Sequence, residues 1–171
     1  MTTRVMARKP TRLARIALVV FDVDGVLTDG RLYFSGRGEA FKVFDARDGH
    51  GIKLLMGSGV DVAVISGRRS AAVTARMREL GVRHVVQGCG DKVAALRKLT
   101  HRLGIEPLCC ACLVDDTVDL PLMSAVGFAA AVADAHPLVL AAAHWVSAAP
   151  GGRGAVREFT DSILRARADA L

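Results

Sequence analysis

An unbroken apolar run at residues 16–21 ends in two carboxylates, and this stretch constrains the fold of the chain more strongly than any other. The run is rich in β-branched residues and too short for a helix, which predicts a strand buried on both faces of a parallel sheet. Asp22 and Asp24 follow where that strand ends, and Gly25 permits a tight exit. Ligands bind at the carboxyl ends of such strands, so the pair indicates a functional site. The alternative is that both aspartates solvate a loop and cap the next element.

Predicted strands and helices alternate along the rest of the chain. Buried apolar runs predict strands at residues 60–65, 83–86, 110–114 and 128–132. Capping residues and terminal glycines predict helices at residues 50–56, 70–80, 92–103, 121–125, 135–142 and 155–170. Asp91 is the expected N-cap of the third helix, and Pro137 is expected to interrupt the fifth. This alternation predicts an α/β fold with a doubly wound, mostly parallel sheet, in which residues 150–154 form a flexible turn before a C-terminal tail.

A β-hairpin is predicted between the first strand and the first helix. Residues 31–34 and 40–44 are β-prone runs that flank a Gly-rich turn. Aromatic side chains lie on both of its faces: Tyr33, Phe34, Phe41 and Phe44. A hairpin that is apolar on both faces needs a second partner, which predicts contact with another subunit.

Charge and length limit the classes of function. The 171 residues fit one domain, and the net charge of +6 comes mostly from residues 1–15, which hold five basic residues and no acid. The remainder has 18 basic and 17 acidic residues, which argues against nucleic acid as a partner, and no apolar run is long enough for a membrane span. We therefore expect a flexible basic N-terminus at 1–15, one domain at 16–171 and a cytoplasmic location. An Arg-rich targeting peptide is the alternative for the basic head.

The cysteines fit a reducing compartment. Cys109 and Cys112 have C-x-x-C spacing, but no second pair completes a zinc site. Burial of these thiols in a strand is the preferred interpretation.

Polar side chains follow three of the predicted strands. Besides the first aspartates, they are Ser66 and the acidic group of Asp115, Asp116 and Asp119, and Lys92 begins a helix near the same edge. Clustered carboxylates repel one another unless a cation lies among them, and hard oxygen ligands favour Mg²⁺. A hydroxyl, a lysine and helix N-termini beside such a metal predict a site for a phosphate dianion.

These motifs resemble those of the haloacid dehalogenase superfamily of phosphohydrolases. FDVDGVLTDG is similar to the first motif, ISGR to the second, GDK to the third and DDTVD to the fourth. Within the superfamily, the hairpin followed by RDGHGIKLL, the segment AVADAHPLV and the tail GGRGAVRE resemble the phosphatases of 3-deoxy-D-manno-octulosonate 8-phosphate, which serve the synthesis of lipopolysaccharide precursors. The resemblance spans about residues 16–165.

The resemblance implies a role for each matched residue. The fold would be a capless, Rossmann-like domain with a protruding β-hairpin, assembled into a homotetramer whose neighbours help to close each site. Asp22 would be the nucleophile that forms an aspartyl-phosphate, and Asp24 would be the acid and base. Mg²⁺ would be held by Asp22, the backbone carbonyl of Asp24 and Asp115, with Asp116 or Asp119 nearby. Ser66 and Lys92 would hold the phosphoryl oxygens, and the substrate-binding arginines would be Arg47, Arg68 and Arg153.

Two points stay open in the sequence. Val114 stands where the fourth motif usually has Gly, and it is expected either to crowd the site or to shift Asp115 slightly. The motifs are shared with capless phosphatases for other sugar phosphates, such as N-acylneuraminate 9-phosphate, and with non-catalytic relatives. The latter usually lack Asp22, Asp24 or Lys92, all of which are present here.

Overall fold

The computed structural model describes residues 12–170. Most of the predicted basic head lies outside these residues. Its last four members, Arg12–Arg15, form a 3-10 helix in which Leu13 packs against the core. The division into a head at 1–15 and a domain at 16–171 stays a prediction.

The strands of the described chain form one parallel sheet and one separate hairpin. In chain order the strands are β1 (Leu18–Phe21), β2 (Tyr33–Ser35), β3 (Gly38–Phe41), β4 (Asp61–Ser66), β5 (His84–Gln87), β6 (Cys110–Val114), β7 (Phe128–Ala131) and β8 (Trp145–Val146). The parallel sheet has the order β5-β4-β1-β6-β7-β8, whereas β2 and β3 pair antiparallel. This confirms the predicted α/β fold with a protruding hairpin.

The helices cover the sheet, and side-chain caps mark the start of several of them. They are α1 (Ala46–Gly57), α2 (Ala71–Leu80), α3 (Lys92–Leu103), α4 (Leu120–Ala125), α5 (Pro137–Ala142) and α6 (Ala155–Ala168). The Asp91 side chain accepts the backbone N–H of Ala94 at 2.9 Å, which confirms it as the N-cap of α3. Helix α3 ends at Gly104 in the left-handed conformation. Within residues 12–170, the helices are too short or too polar to cross a membrane.

The centre of the sheet positions the site. Every residue of β1 is fully buried, and β1 pairs with β4 on one side and with β6 on the other. Because the three strands are parallel, the residues that follow them, including Asp22 and Asp115, emerge at one edge of the sheet beside Ser66, the last residue of β4.

The structure differs from the sequence analysis in three details. Pro137 is the first residue of α5 and not an interruption, since the first turn of a helix does not need its missing N–H. Strand β8 was not predicted because it has only two residues. Helix α6 is part of the core and not a tail: it packs against α1, and Phe159 and Ile163 on it are fully buried.

Burial in a strand is confirmed for Cys112 and Cys110 but not for Cys109, which ends a 3-10 helix and is only partly buried. Cys110 and Cys112 lie in β6 without solvent exposure. Burial raises the pKa of the Cys112 thiol to about 12 and that of Cys110 to about 11, so both thiols stay protonated and unreactive near neutral pH.

Candidate active site

A cleft of about 460 Å³ opens at the carboxyl edge of the central strands. Its lining comes from the loops after β1, β4, β5 and β6 and from the start of α3: Asp22, Asp24, Gly30, Ser66, Gly67, Arg68, Cys89, Gly90, Lys92, Asp115, Asp116 and Val118. The cleft therefore gathers the polar strand ends that the sequence predicted to converge.

Lys92 joins two carboxylates at the base of the cleft. Its Nζ lies 2.9 Å from Oδ1 of Asp22 and 2.7 Å from Oδ1 of Asp119. Asp119 is fully buried and Asp22 is 8% exposed. Burial disfavours the charged form of Lys92, but the two carboxylates outweigh this cost and raise the pKa of its ammonium above the ordinary value. Lys92 is therefore a fixed cation beside Asp22.

Three carboxylates in the cleft are suited to a divalent cation. Asp22, Asp115 and Asp119 each offer one oxygen, and these oxygens lie within 4.8 Å of one another. Burial, followed by repulsion from Asp22 and Asp119, raises the pKa of Asp115 to about 7. Oδ2 of Asp119 is buried without a hydrogen-bond donor from the described residues. A hard cation with oxygen ligands would relieve both the repulsion and this unmet acceptor, so the residues fit Mg²⁺.

A glycine makes room for this carboxylate group. A Cβ on Gly25 would lie 2.0 Å from Oδ2 of Asp115, and the residue has φ +84°. Only Gly adopts this conformation without strain and leaves space for the carboxylate. Val114, by contrast, is fully buried in β6 and is not among the residues that line the cleft. Its side chain does not crowd the described site.

Asp116 and Asp119, both in the fourth motif, make different contacts. Asp119 joins the carboxylate group, whereas Asp116 is exposed and its Oδ1 accepts the N–H of Thr117 at 2.6 Å, which caps a short 3-10 helix. Asp116 still lines the cleft. Of the two candidates that the sequence left open, Asp119 lies with Asp22 and Asp115, and the sequence motif alone contained no signal for this choice.

Ser66 and the start of α3 form the second corner of the cleft. Ser66 is the last residue of β4, is 3% exposed and accepts the N–H of Arg68 at 3.3 Å. The described residues accept no hydrogen bond from its hydroxyl, which can therefore donate to an oxygen in the cleft. Together with the ammonium of Lys92 and the first turn of α3, it offers donors and positive charge to an anion.

The hairpin adds charged residues to the site that the sequence analysis missed. Lys42, directly after β3, forms a hydrogen-bonded ion pair with Oδ1 of Asp24 and lies 3.3 Å from Oε2 of Glu39. Arg68 lies on the other side, 3.6 Å from Asp24 and 4.0 Å from Glu39, with its guanidinium over the ring of Phe34. The sequence contained only a weak signal, a Glu and a Lys in or next to the second strand of a hairpin that is rich in aromatic residues.

Glu39 attaches the hairpin to the start of α2. Its carboxylate accepts the hydroxyl hydrogen bond of Ser70, the N-cap of that helix. This hydrogen bond, together with Lys42 and Arg68, holds the pKa of Glu39 below its ordinary value of 4.5 against the effect of burial. One side of the hairpin thus packs on its own chain, while Phe34, Phe41 and Val43 remain more than half exposed.

The predicted flexible turn at 150–154 is held in place, which corrects the sequence analysis. The N–H of Gly152 donates to the carbonyl of Val26 at 2.8 Å, and the N–H of Gly151 donates to Asp134 at 2.9 Å. Buried Asp48 accepts the N–H of Gly154. The turn therefore packs against the loop that carries the first aspartates of its own chain.

The structure does not bring the other two predicted arginines into the cleft. Arg47 pairs with Asp45 at 2.8 Å and donates to the backbone carbonyl of Arg153. The side chain of Arg153 is exposed. Neither arginine is among the residues that line the cleft of the described chain.

Comparisons with known proteins give a consistent result. A family model described as haloacid dehalogenase-like hydrolase matches residues 82–157. A 3-deoxy-D-manno-octulosonate 8-phosphate phosphatase from Yersinia pestis is 47% identical over 156 residues, which cover 91% of this chain and 83% of that protein.

Two solved structures have a similar fold over nearly the whole chain. The cobalt-bound deoxy-D-mannose-octulosonate 8-phosphate phosphatase from Haemophilus influenzae has a TM-score of 0.91 at 42% identity and covers 94% of each chain. The phosphatase from Moraxella catarrhalis, in complex with magnesium ion, phosphate ion and KDO, has a TM-score of 0.89 at 39% identity and covers 93% of this chain and 91% of that one.

Proposed function

Because the chain belongs to the 3-deoxy-D-manno-octulosonate 8-phosphate phosphatases, a family of haloacid dehalogenase-like hydrolases, we propose that it hydrolyses this sugar-acid phosphate to KDO and phosphate. The observation that carries the proposal is the contact of Lys92 with both Asp22 and Asp119 beside Asp115, in a cleft that also holds Asp24 and Ser66. This reaction would supply KDO for the synthesis of lipopolysaccharide precursors.

Asp22 is the proposed nucleophile. A carboxylate oxygen of Asp22 attacks phosphorus as the bond from phosphorus to the sugar oxygen breaks, which leaves an aspartyl-phosphate. Asp24 gives a proton to the departing sugar oxygen and then takes one from the water that hydrolyses the intermediate. Lys92 and Ser66 donate to the phosphoryl oxygens, because the ammonium and the hydroxyl both face the cleft.

Mg²⁺ is the proposed cofactor. Asp22, Asp115 and Asp119 would hold it, with the backbone carbonyl of Asp24, and Asp116 lies at the rim of the same cleft. When bound, the cation neutralises the carboxylates and the negative charge of the phosphoryl group. The magnesium in the Moraxella catarrhalis phosphatase supports this assignment.

We further propose a homotetramer in the cytoplasm with Arg47, Arg68 and Arg153 as substrate-binding residues. Arg68 lines the cleft of its own chain, whereas Arg47 and Arg153 would act at the cleft of a neighbouring subunit. The exposed apolar side chains of the hairpin support burial between subunits: Leu32, Phe34, Phe41 and Val43. The protonated, unpaired cysteines of β6 are consistent with a reducing compartment. No partner other than the small sugar phosphate and further copies of the chain is proposed.

A phosphate-release screen over sugar phosphates tests the function. We expect the highest kcat/KM with 3-deoxy-D-manno-octulosonate 8-phosphate, dependence on added Mg²⁺, and loss of activity in EDTA. Asp22→Asn should abolish turnover while circular dichroism and melting stay unchanged, because the amide is nearly isosteric but a poor nucleophile. Full activity in Asp22→Asn would refute the mechanism, and a clear preference for N-acylneuraminate 9-phosphate would refute the substrate.

A further inference from the structure

Lys42 occupies a position that a lysine rarely takes without a specific partner. Its side chain is only 2% exposed, although it lies directly after a hairpin strand. Lysines are seldom buried unless their charge is compensated, and here the compensating groups are Asp24 and Glu39. The location of its ammonium is therefore set by these two carboxylates.

Resting on the proposed function, we propose that Lys42 is a positioning residue that fixes the carboxylate of Asp24 for proton transfer. Lys42 donates to Oδ1 of Asp24. Oδ2 accepts no hydrogen bond from the described residues, and the Nε of Arg68 lies 3.6 Å from it, which is too long for a hydrogen bond. Oδ1 is thus engaged, and Oδ2 is the oxygen left to exchange a proton with the substrate.

Asp24 loses a proton in the first half of the reaction and regains one in the second half. In the first half, Oδ2–H of Asp24 gives its proton to the sugar oxygen as that oxygen leaves phosphorus. In the second half, Oδ2 takes a proton from water as the water oxygen bonds to phosphorus and the bond to Asp22 breaks. Lys42 keeps its own proton throughout and acts only through Asp24, whose loop side chain would otherwise sample several rotamers.

The hairpin transmits this positioning. Glu39, three residues before Lys42, binds the ammonium of Lys42 and the hydroxyl of Ser70 at the start of α2. The guanidinium of Arg68 lies within ion-pair distance of both Asp24 and Glu39, and it stacks on Phe34. Two cations and two carboxylates therefore alternate between the hairpin and the loop after β1: Lys42, Arg68, Asp24 and Glu39. Because these charges contact one another, the packing of the hairpin and the orientation of Asp24 are coupled.

Substrates with different leaving groups test the proposal. A sugar alkoxide needs protonation to leave, whereas p-nitrophenolate is a stable anion that leaves without it. We expect Lys42→Met to lower kcat for 3-deoxy-D-manno-octulosonate 8-phosphate by at least about tenfold and kcat for p-nitrophenyl phosphate by less than about threefold. Lys42→Arg should restore most of the loss. Lys98→Met, on the exposed face of α3, is the matched control and should leave both rates unchanged.

A double-mutant cycle separates positioning from substrate binding. If Lys42 acts through Asp24, adding Lys42→Met to Asp24→Asn should change kcat for the sugar phosphate by less than about twofold. Equal losses on both substrates, full additivity with Asp24→Asn, or a change in KM alone would overturn the proposal. If circular dichroism shows that Lys42→Met is unfolded, the same measurements are made on Lys42→Gln. Wild-type protein inactive on every phosphate ester would refute the proposed function itself, and the role of Lys42 with it.

Discussion

The close packing of Gly151 against the loop of the first aspartates predicts a large effect from one methyl group. A Cβ on Gly151 would lie 1.7 Å from the carbonyl oxygen of Gly25 and 2.5 Å from its carbonyl carbon. Both atoms belong to the backbone, so no side-chain rotation can relieve the overlap. Gly151 does not have a positive φ, and Gly151→Ala therefore adds a clash without adding conformational strain.

The expected loss of kcat follows from the distance by which the loop at Gly25 must move. Contacts shorter than 3.0 Å to a Cβ essentially never occur, so the two loops must separate by about 1.3 Å. Gly25 directly follows Asp24, and a misplacement of about 1 Å in a catalytic group can cost on the order of 10²-fold, or about 2.7 kcal/mol, in rate. Overpacking typically costs about 1–3 kcal/mol of stability, which leaves most domains folded at 25 °C. We expect Gly151→Ala to lose kcat by this factor while its circular dichroism stays native.

The assay is phosphate release at saturating sugar phosphate, alongside thermal melting. Gly57→Ala is the matched control, because a Cβ there has no neighbour within 4 Å among the described residues and Gly57 does not have a positive φ. It should leave kcat unchanged and the melting temperature equal or slightly higher, since Ala favours the helix. A folded Gly151→Ala protein with a kcat close to that of the wild type would refute the reasoning.

Three further predictions concern the hairpin and Arg153. Arg153→Ala should lower kcat/KM for the sugar-acid phosphate by roughly 1–3 kcal/mol, the cost of a lost charge-assisted contact, with little change in melting. Arg78→Ala, at another exposed arginine, is the control and should have no effect; an equal lack of effect in Arg153→Ala would show that Arg153 is an ordinary solvated arginine. If the proposed tetramer forms through the hairpin, Phe41→Asp should dissociate it and lower activity indirectly, because Phe41 is 52% exposed on the hairpin; light scattering that finds a fully active monomer would contradict this. Because the pKa of Glu39 is lowered in the folded protein, its stabilising contribution is complete above pH 4.5 and is lost as the pH falls through the lowered value. The melting-temperature difference between the wild type and Glu39→Gln should therefore shrink below pH 4.5, and a constant difference would exclude this contribution.

The sequence alone determined the sheet and most of the cleft. The apolar run before Asp22 is long enough for a strand and too short for a helix, and the same pattern recurs before Ser66 and Asp115. Since parallel strands end at one edge, polar residues placed after neighbouring strands must converge there. Lys92 could be assigned as well, because the capping residue Asp91 marks the start of its helix.

Only the tertiary structure decided which of these groups touch. Whether Asp119 or Asp116 lies beside Asp22 depends on the short helix that follows Asp116. The pairing of Lys42 with Asp24 spans 18 positions and depends on how the hairpin folds back. The fit of Gly151 against Gly25 and the burial of α6 likewise join distant parts of the chain. Periodicity and capping are local properties that a sequence encodes directly, whereas contacts between distant residues are set by the packing of whole elements.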